Sequence, residues 1–328
     1  MIRWGIIGCG DVTEVKSGPA FNKVEGSELL AVMRRDASLA EDYARRHNVP
    51  RFYSNAYDLI NDKDINAIYV ATPPSSHAEY GIASIKAGKP VYIEKPMALN
   101  YSECLEINNA SEKYGVPVFV AYYRRTLPGF LKVKELVENG EIGKVLFVQI
   151  QLFKSPSEDE KSGKPPWRVD PKVSGGGHFF DLASHQLDYL DYLLGPVHKV
   201  KSIVLNQAGL YSAEDFIAAE FLFPGNIACS GIWSFGSAPD SSRDIIEIIG
   251  DKGSIKFSTF SFENIVLTNN SGRREIINER PEHIQYYLIE KIVQALTGNG
   301  IPPSTGISGA RTSKVMDEVV AEYYKAGQ

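Results

Sequence analysis

Cysteine is scarce in this chain: three among 328 residues, Cys9, Cys104 and Cys229, far apart and odd in number. That excludes a disulfide scaffold and a cysteine-built metal centre, and it suits a reducing cytoplasm. No metal site is expected. No apolar run approaches the ~18 residues that a membrane span requires. No basic block is present either: 35 Lys and Arg are scattered among 40 Asp and Glu, for a net charge of −5. This balance argues against a nucleic-acid surface. The first ten residues open directly on a strand, with no charged segment leading into a long apolar one, so no secretory leader is expected. What is plentiful is apolar sequence, 43% of the chain, enough to bury two domain cores.

The first domain reads as an alternation of strands and helices. Ile2–Ile7 is an apolar strand running into Gly8-Cys9-Gly10-Asp11-Val12-Thr13, a GxGxx(G) turn with Thr13 in the third glycine's place. Gly8 permits a tight turn, and Gly10 lets the amides that follow, those of Asp11 and Val12, approach a pyrophosphate at a helix N-terminus. Gly18-Pro19 then interrupts the helix, with Pro19 opening a second short one. The next strand, Glu28–Met33, ends in Arg34-Arg35-Asp36. Two readings stand there. Arg34 and Arg35 match a 2′-phosphate in shape and charge, which favours NADP. Alternatively they are solvated and Asp36 caps the helix Ala37–His47, while Asp36 remains available to the ribose of NAD.

Further on, Ala67–Ala71 is a strand ending in Thr72-Pro73-Pro74, a rigid turn at the same sheet edge as Gly10. His77 begins the following helix and reads as a capping or packing residue beside the cofactor, not as a catalyst. Val91-Tyr92-Ile93 is a buried strand that ends in Glu94-Lys95-Pro96, where ligands of a doubly wound sheet bind. Pro96 pushes Lys95 into an extended conformation. Tyr101–Tyr114 is a helix and Val116–Val120 the last strand. Residues 1–122 therefore form a right-handed, parallel, doubly wound α/β sheet.

Residues 123–303 change character. After a helix from Pro128 to Asn139 come strands at 145–153, 199–206, 215–223, 227–235, 244–249, 254–257 and 264–267, separated by short turns. They predict a large, mostly antiparallel open sheet in an α+β domain. The strand Asp215–Phe223 is apolar on one face and largely apolar on the other, so helices are expected on one side and a second subunit on the other, as a homodimer or homotetramer. Within this half, Gly175-Gly176-Gly177 precedes a helix that carries Asp181 and His185, four residues apart on one face. Trp167 and Arg168 lie in a proline-rich loop, and Tyr122-Tyr123-Arg124-Arg125 follows the last strand of the first domain. The terminal helix, about 304–326, is amphipathic through Val315, Val319 and Tyr323 and is expected to pack back on the first domain.

The ordered set Gly8-x-Gly10, Ala71-Thr72-Pro73-Pro74, Gly88-Lys89-Pro90 and Glu94-Lys95-Pro96 closely resembles the Gfo/Idh/MocA oxidoreductases. Their name comes from glucose-fructose oxidoreductase, inositol dehydrogenase and the rhizopine protein MocA. The stretch 175–188 nearly completes their GGGxxxDxGxHxxD pattern, with Ala183 where a glycine is common. The resemblance implies a lysine, Lys95, beside the nicotinamide and the reacting carbon, and a catalytic role for Asp181 and His185. It also implies that Trp167-Arg168 lies near cofactor and substrate, as in the family's sugar reductases. Tyr123, from its place just after the last strand of the first domain, is expected to line the cleft and meet substrate.

The chemistry implied is reversible hydride transfer between C4 of a nicotinamide and a carbinol or carbonyl carbon of a small sugar, polyol or diol. His185 is the expected general acid/base, since its ordinary pKa lies near working pH. Lys95 stabilises alkoxide character or shares the proton, and Asp181 steers it, so the three are expected to titrate as a coupled set. NADP(H) is the preferred cofactor, with NAD(H) possible. Two alternatives accompany this reading: a family glycosidase that uses NAD⁺ transiently, and a regulator that binds cofactor without turnover.

Overall fold

A computed structural model describes residues 1–326. The chain divides into two compact units, Met1–Thr126 with Pro281–Ser313, and Leu127–Arg280 with the chain from Lys314.

In the first unit, strands β1 (Ile2–Ile7), β2 (Ser27–Met33), β3 (Arg51–Tyr53), β4 (Ala67–Val70), β5 (Val91–Ile93) and β6 (Val118–Val120) form one parallel sheet in the order β3-β2-β1-β4-β5-β6. Helices α1 (Asp11–Val15), α2 (Gly18–Lys23), α3 (Ala37–Arg46), α4 (Ala56–Asn61), α5 (His77–Lys86) and α6 (Tyr101–Tyr114) connect them. β4 and β5 are buried at every position, as strands covered on both faces must be. The strand order reverses between β1 and β4, which opens the ligand crevice of such sheets at their carboxyl ends.

The expected break at Gly18 is present and has a packing cause. The Tyr43 hydroxyl donates to Thr13 O at 2.8 Å, and a Cβ on Gly18 would stand 2.2 Å from that oxygen and 2.3 Å from Tyr43 Oη. β3 is not foreseen, because three residues at a sheet edge are too few to show a period.

The segment 281–303, which the domain limits expected from sequence group with the second half, lies in the first unit. Hydrogen bonds account for this. The Gln285 amide donates to Lys16 O at 3.2 Å, His283 Nδ1 lies 2.8 Å from Val15 O, and Arg125 Nη1 donates to Pro303 O at 3.0 Å.

In the second unit, β7 (Val145–Phe153), β8 (Lys199–Leu205), β9 (Phe216–Phe223), β10 (Ile227–Ser234), β11 (Arg243–Gly250), β12 (Gly253–Phe257), β13 (Ile265–Asn269) and β14 (Gly272–Ile276) form an eight-stranded sheet. Its order is β14-β13-β12-β11-β7-β10-β9-β8, antiparallel throughout except between β7 and β10. Helices α7 (Pro128–Glu138), α8 (Glu158–Lys161), α9 (Pro171–Ser174) and α10 (Ser184–Leu194) belong to this unit. α7 and α10 help to cover one face. Phe130, Tyr189 and Phe257 pack edge to face, and buried Trp233 of β10 meets Phe179 at 5.1 Å.

Register places Phe147, Ile203, Leu205, Phe216, Ala218, Leu222 and Ile232 on the opposite face. There Ile203 is 61% and Ile232 41% exposed. β9 is less uniformly apolar than its sequence suggests, since Glu220 also lies on this face, opposite Lys201. Two further helices follow in the chain, α11 (Tyr286–Leu296) and α12 (Gly306–Ala326). α11 belongs to the first unit, and α12 begins there and continues into the second from Lys314.

Candidate active site

The turn after β1 is built to meet the turn after β4. Gly8 has φ +93°, and a Cβ there would stand 2.7 Å from Thr72 Cγ2 and 2.9 Å from Thr72 N. Glycine is therefore required both for conformation and for approach. The amides of Gly8 and Cys9 both donate to Met33 O, at 2.9 and 3.1 Å. Thr13 then locks the turn: its hydroxyl donates to Gly10 O at 2.8 Å and accepts from the Gly10 amide at 3.0 Å.

Space is open at Gly10. The position of a Gly10 Cβ has nothing nearer than Gly8 O at 4.0 Å. Asp11 and Val12, as the first helical residues, present amides with no intrahelical acceptor. Unpaired amides at a helix start suit an anionic pyrophosphate. Cys9 is not reactive here, since burial pushes its thiol up to about 11.

At the end of β2 the structure shows the capping role of Asp36. Its carboxylate accepts from the amides of Ser38 and Leu39 at 3.0 and 3.3 Å and from the Ser38 hydroxyl at 2.6 Å, which lowers its pKa. Asp36 is thus the cap of α3. Arg34 and Arg35 are exposed beside it.

Thr72 and Pro73 follow β4 as half-buried residues. His77 requires a correction. It is fully buried, with Nδ1 2.9 Å from Pro96 O and Nε2 2.7 Å from Thr72 O. Its ring therefore offers no surface to a cofactor; it joins the Thr72 turn to the Glu94–Pro96 turn. Burial lowers its pKa, and the two carbonyls oppose that shift.

Glu94 is buried at the end of β5 and accepts from Tyr69, Gln285 and the Lys95 amide. Lys95 is half-buried immediately after it. Tyr123 retains 6% exposure, with the Arg124 guanidinium 5.1 Å from its ring centre.

The second unit carries the other sequence-predicted residues. Gly175 (φ +88°) ends α9, and a Cβ on Gly177 would stand 2.4 Å from Glu214 O, so the glycine run lets the chain pass close to β9. Phe179–Ala183 then forms a π turn before α10. Asp181 lies in that turn and His185 in the first turn of α10, so a π turn stands where their spacing predicts a regular α-helix.

Asp181 Oδ2 is 3.6 Å from Arg168 Nε, and that guanidinium also stands 4.6 Å from the Trp167 ring centre. His185 is 2% exposed, near the Phe260 ring. Next to it, Gln186 accepts from Trp233 Nε1 at 2.7 Å and donates to Thr259 at 3.0 Å, which pins the start of α10.

Three residues escape the sequence reading. Glu160, buried, lies 2.6 Å from His178 Nε2. Its Ser157-x-x-Glu160 capping box is visible in the sequence, though the histidine contact is not. Glu214, buried beneath the glycine run, accepts from the Gly177 amide and the Tyr324 hydroxyl at 2.8 and 2.5 Å. Gln285 carries no local signal at all. Among the described residues no group of His, Cys, Asp and Glu is arranged to hold a metal ion, and no helix is long and apolar enough to cross a membrane.

Residues 2–122 match the oxidoreductase family with an NAD-binding Rossmann fold, and residues 130–256 match the GFO/IDH/MocA C-terminal domain. The chain belongs to the Gfo/Idh/MocA oxidoreductase family. Among Gfo/Idh/MocA relatives it is 41% identical to Oxidoreductase P35 of Formosa agariphila over 96% of this chain and 97% of that one. It is 25% identical to the scyllo-inositol 2-dehydrogenase (NAD(+)) of Bacillus subtilis, over 83% and 78%. In structure it resembles a levoglucosan dehydrogenase in complex with NADH, with TM-score 0.88, 22% identity and 99% and 97% coverage. As a Gfo/Idh/MocA protein it is an NAD(P)-dependent oxidoreductase whose first unit is the dinucleotide-binding fold.

Proposed function

We propose that this enzyme moves a hydride between a nicotinamide dinucleotide and a carbinol or carbonyl carbon of a small sugar, polyol or diol. The observation that carries the reading is the close meeting of Gly8 and Thr72 at the switch point of the sheet, with open space at the Gly10 Cβ position and the first helical amides, Asp11 and Val12, following it. The substrate class rests on the inositol and levoglucosan dehydrogenases among the relatives.

The bound dinucleotide supplies or takes up the hydride. The chain's own residues manage the substrate oxygen. His185 moves its proton as general acid/base, and the Lys95 ammonium stabilises alkoxide character or shares that proton. Asp181, paired with Arg168, and Tyr123 contribute substrate contacts. NADP(H) is the preferred partner in this reading, because the guanidinium groups of Arg34 and Arg35 at the strand end match a 2′-phosphate in shape and charge. The open face of the second unit's sheet pairs with a second copy of the chain.

A panel of aldoses, inositols, anhydrosugars and diols, followed at the nicotinamide absorbance with NADP(H) and NAD(H), tests the reading. Turnover of a member supports it. Ligand-induced fluorescence changes with no redox change across the panel would replace the enzyme by a binding protein.

A further inference from the structure

One side chain far along the sequence controls the carboxylate next to Lys95. Glu94 is 7% exposed and receives three donors: the Tyr69 hydroxyl to Oε1 at 2.5 Å, Gln285 Nε2 to Oε1 at 2.6 Å, and the Lys95 amide to Oε2 at 3.1 Å. Gln285 is itself fully buried. Its Oε1 accepts from the Tyr92 hydroxyl at 2.7 Å, and its backbone amide donates to Lys16 O, just beyond α1. The Tyr69 and Tyr92 rings stack at 4.8 Å, which holds both hydroxyls in place.

The orientation of the Gln285 amide follows from this network. Turned over, it would set its oxygen 2.6 Å from a carboxylate oxygen, and the Glu94 anion would lose a donor in a buried site. As assigned, each polar atom at the junction has a partner, the condition under which a buried polar network holds one geometry. Gln285 thus touches both parts that the chemistry needs in register: the helix of the pyrophosphate cradle and the strand end that presents Lys95.

We propose that Gln285 is a positioning residue for hydride transfer: it fixes the Glu94 carboxylate, and through it the backbone at Lys95, relative to α1. The proposal rests on the role given to Lys95 above. It assigns the return segment 281–285 a part in the chemistry as well as in closing the fold.

The test uses the full-length protein, its Gln285→Ala form, and Tyr92→Phe, which removes only the hydroxyl that orients the amide. Two quantities are read. The first is the Lys95 backbone amide resonance in [¹⁵N]lysine-labelled protein, assigned by its loss in Lys95→Arg. The second is kcat beside the dissociation constant of NADPH. Both variants are expected to move the Lys95 amide by more than its linewidth while most other lysine amides stay. Gln285→Ala is expected to lower kcat by ~10-fold or more, as small misplacements of a reacting group do, with NADPH affinity near that of the parent.

An unmoved Lys95 amide in both variants overturns the proposal. So does a moved amide with unchanged kcat, or a loss of kcat matched by an equal loss of NADPH affinity. If Gln285→Ala does not fold, Tyr92→Phe decides by the same criteria. The amide reading needs neither substrate nor turnover, so an inactive substrate panel would sink the proposed function without deciding this result.

Discussion

Arg168 reaches Asp181 at 3.6 Å while its guanidinium lies over the Trp167 ring, so a loop residue holds the acid of the π turn. The pair is partly exposed, 41% and 24%, and pairs of this kind contribute only about 0–1 kcal/mol to stability. Arg168→Met is therefore expected to leave the unfolding free energy within ~1 kcal/mol of the parent and to lower kcat/KM clearly. Thermal melts beside steady-state kinetics separate the two effects. A loss of stability with intact kinetics would make the contact structural.

The proposed preference for NADP(H) rests on Arg34 and Arg35. Charged hydrogen bonds contribute ~1.5–3 kcal/mol each and need not add, so Arg34→Ala with Arg35→Ala should weaken NADPH by roughly 2–4 kcal/mol. NADH affinity should change little. Fluorescence titration of both dinucleotides checks this, and equal losses would remove the 2′-phosphate reading.

Lys95→Ala and His185→Ala should each fold and bind dinucleotide, because backbone amides hold the pyrophosphate. Turnover should fall by about 10²–10⁴ in each. The double variant should lose far less than the product of the two, since groups that act as a unit are not additive. Near-normal turnover in both single variants would show that this site is wrongly assigned.

The apolar, half-open face of the second sheet predicts self-association. Ile203→Asp with Ile232→Asp adds charge to two exposed positions of that face. Sedimentation should show an oligomer for the parent and a shift towards the 36.3 kDa chain for the variant. A parent that sediments only as monomer at micromolar concentration removes this interface.

Glu214 should leave a pH signature on stability. Burial pushes its carboxyl from 4.5 up to about 7. An unfolded chain therefore releases this proton before the folded one does. The group's contribution is present in full below 4.5 and is lost as pH rises through about 7. Glu214→Gln should gain stability relative to the parent as pH climbs through that window and level off above it. Urea unfolding across the window checks the sign; a constant difference would mean that Glu214 titrates normally.

Much of the scaffold was legible without coordinates. Tyr101–Tyr114 and Val145–Phe153 emerge with the limits that period and punctuation predict. Gly8, Thr72 and Glu94 fall at the ends of β1, β4 and β5 because short apolar runs stop at glycine and proline. These features are local, and a chain carries local information in adjacent residues. Other features depended on packing. Asp36 became the cap of α3 because the helix amides of Ser38 and Leu39 reach its carboxylate. His77 was enclosed between two carbonyls, and a π turn formed at Asp181 where the spacing to His185 implies a regular α-helix. The bond from Gln285 to Glu94 spans 191 residues, so no window of sequence contains both partners. Sequence by itself determined which strands end in chemistry. Tertiary structure decided which donors meet each acid there, because a buried carboxylate takes its partners from whatever the fold brings within hydrogen-bond reach.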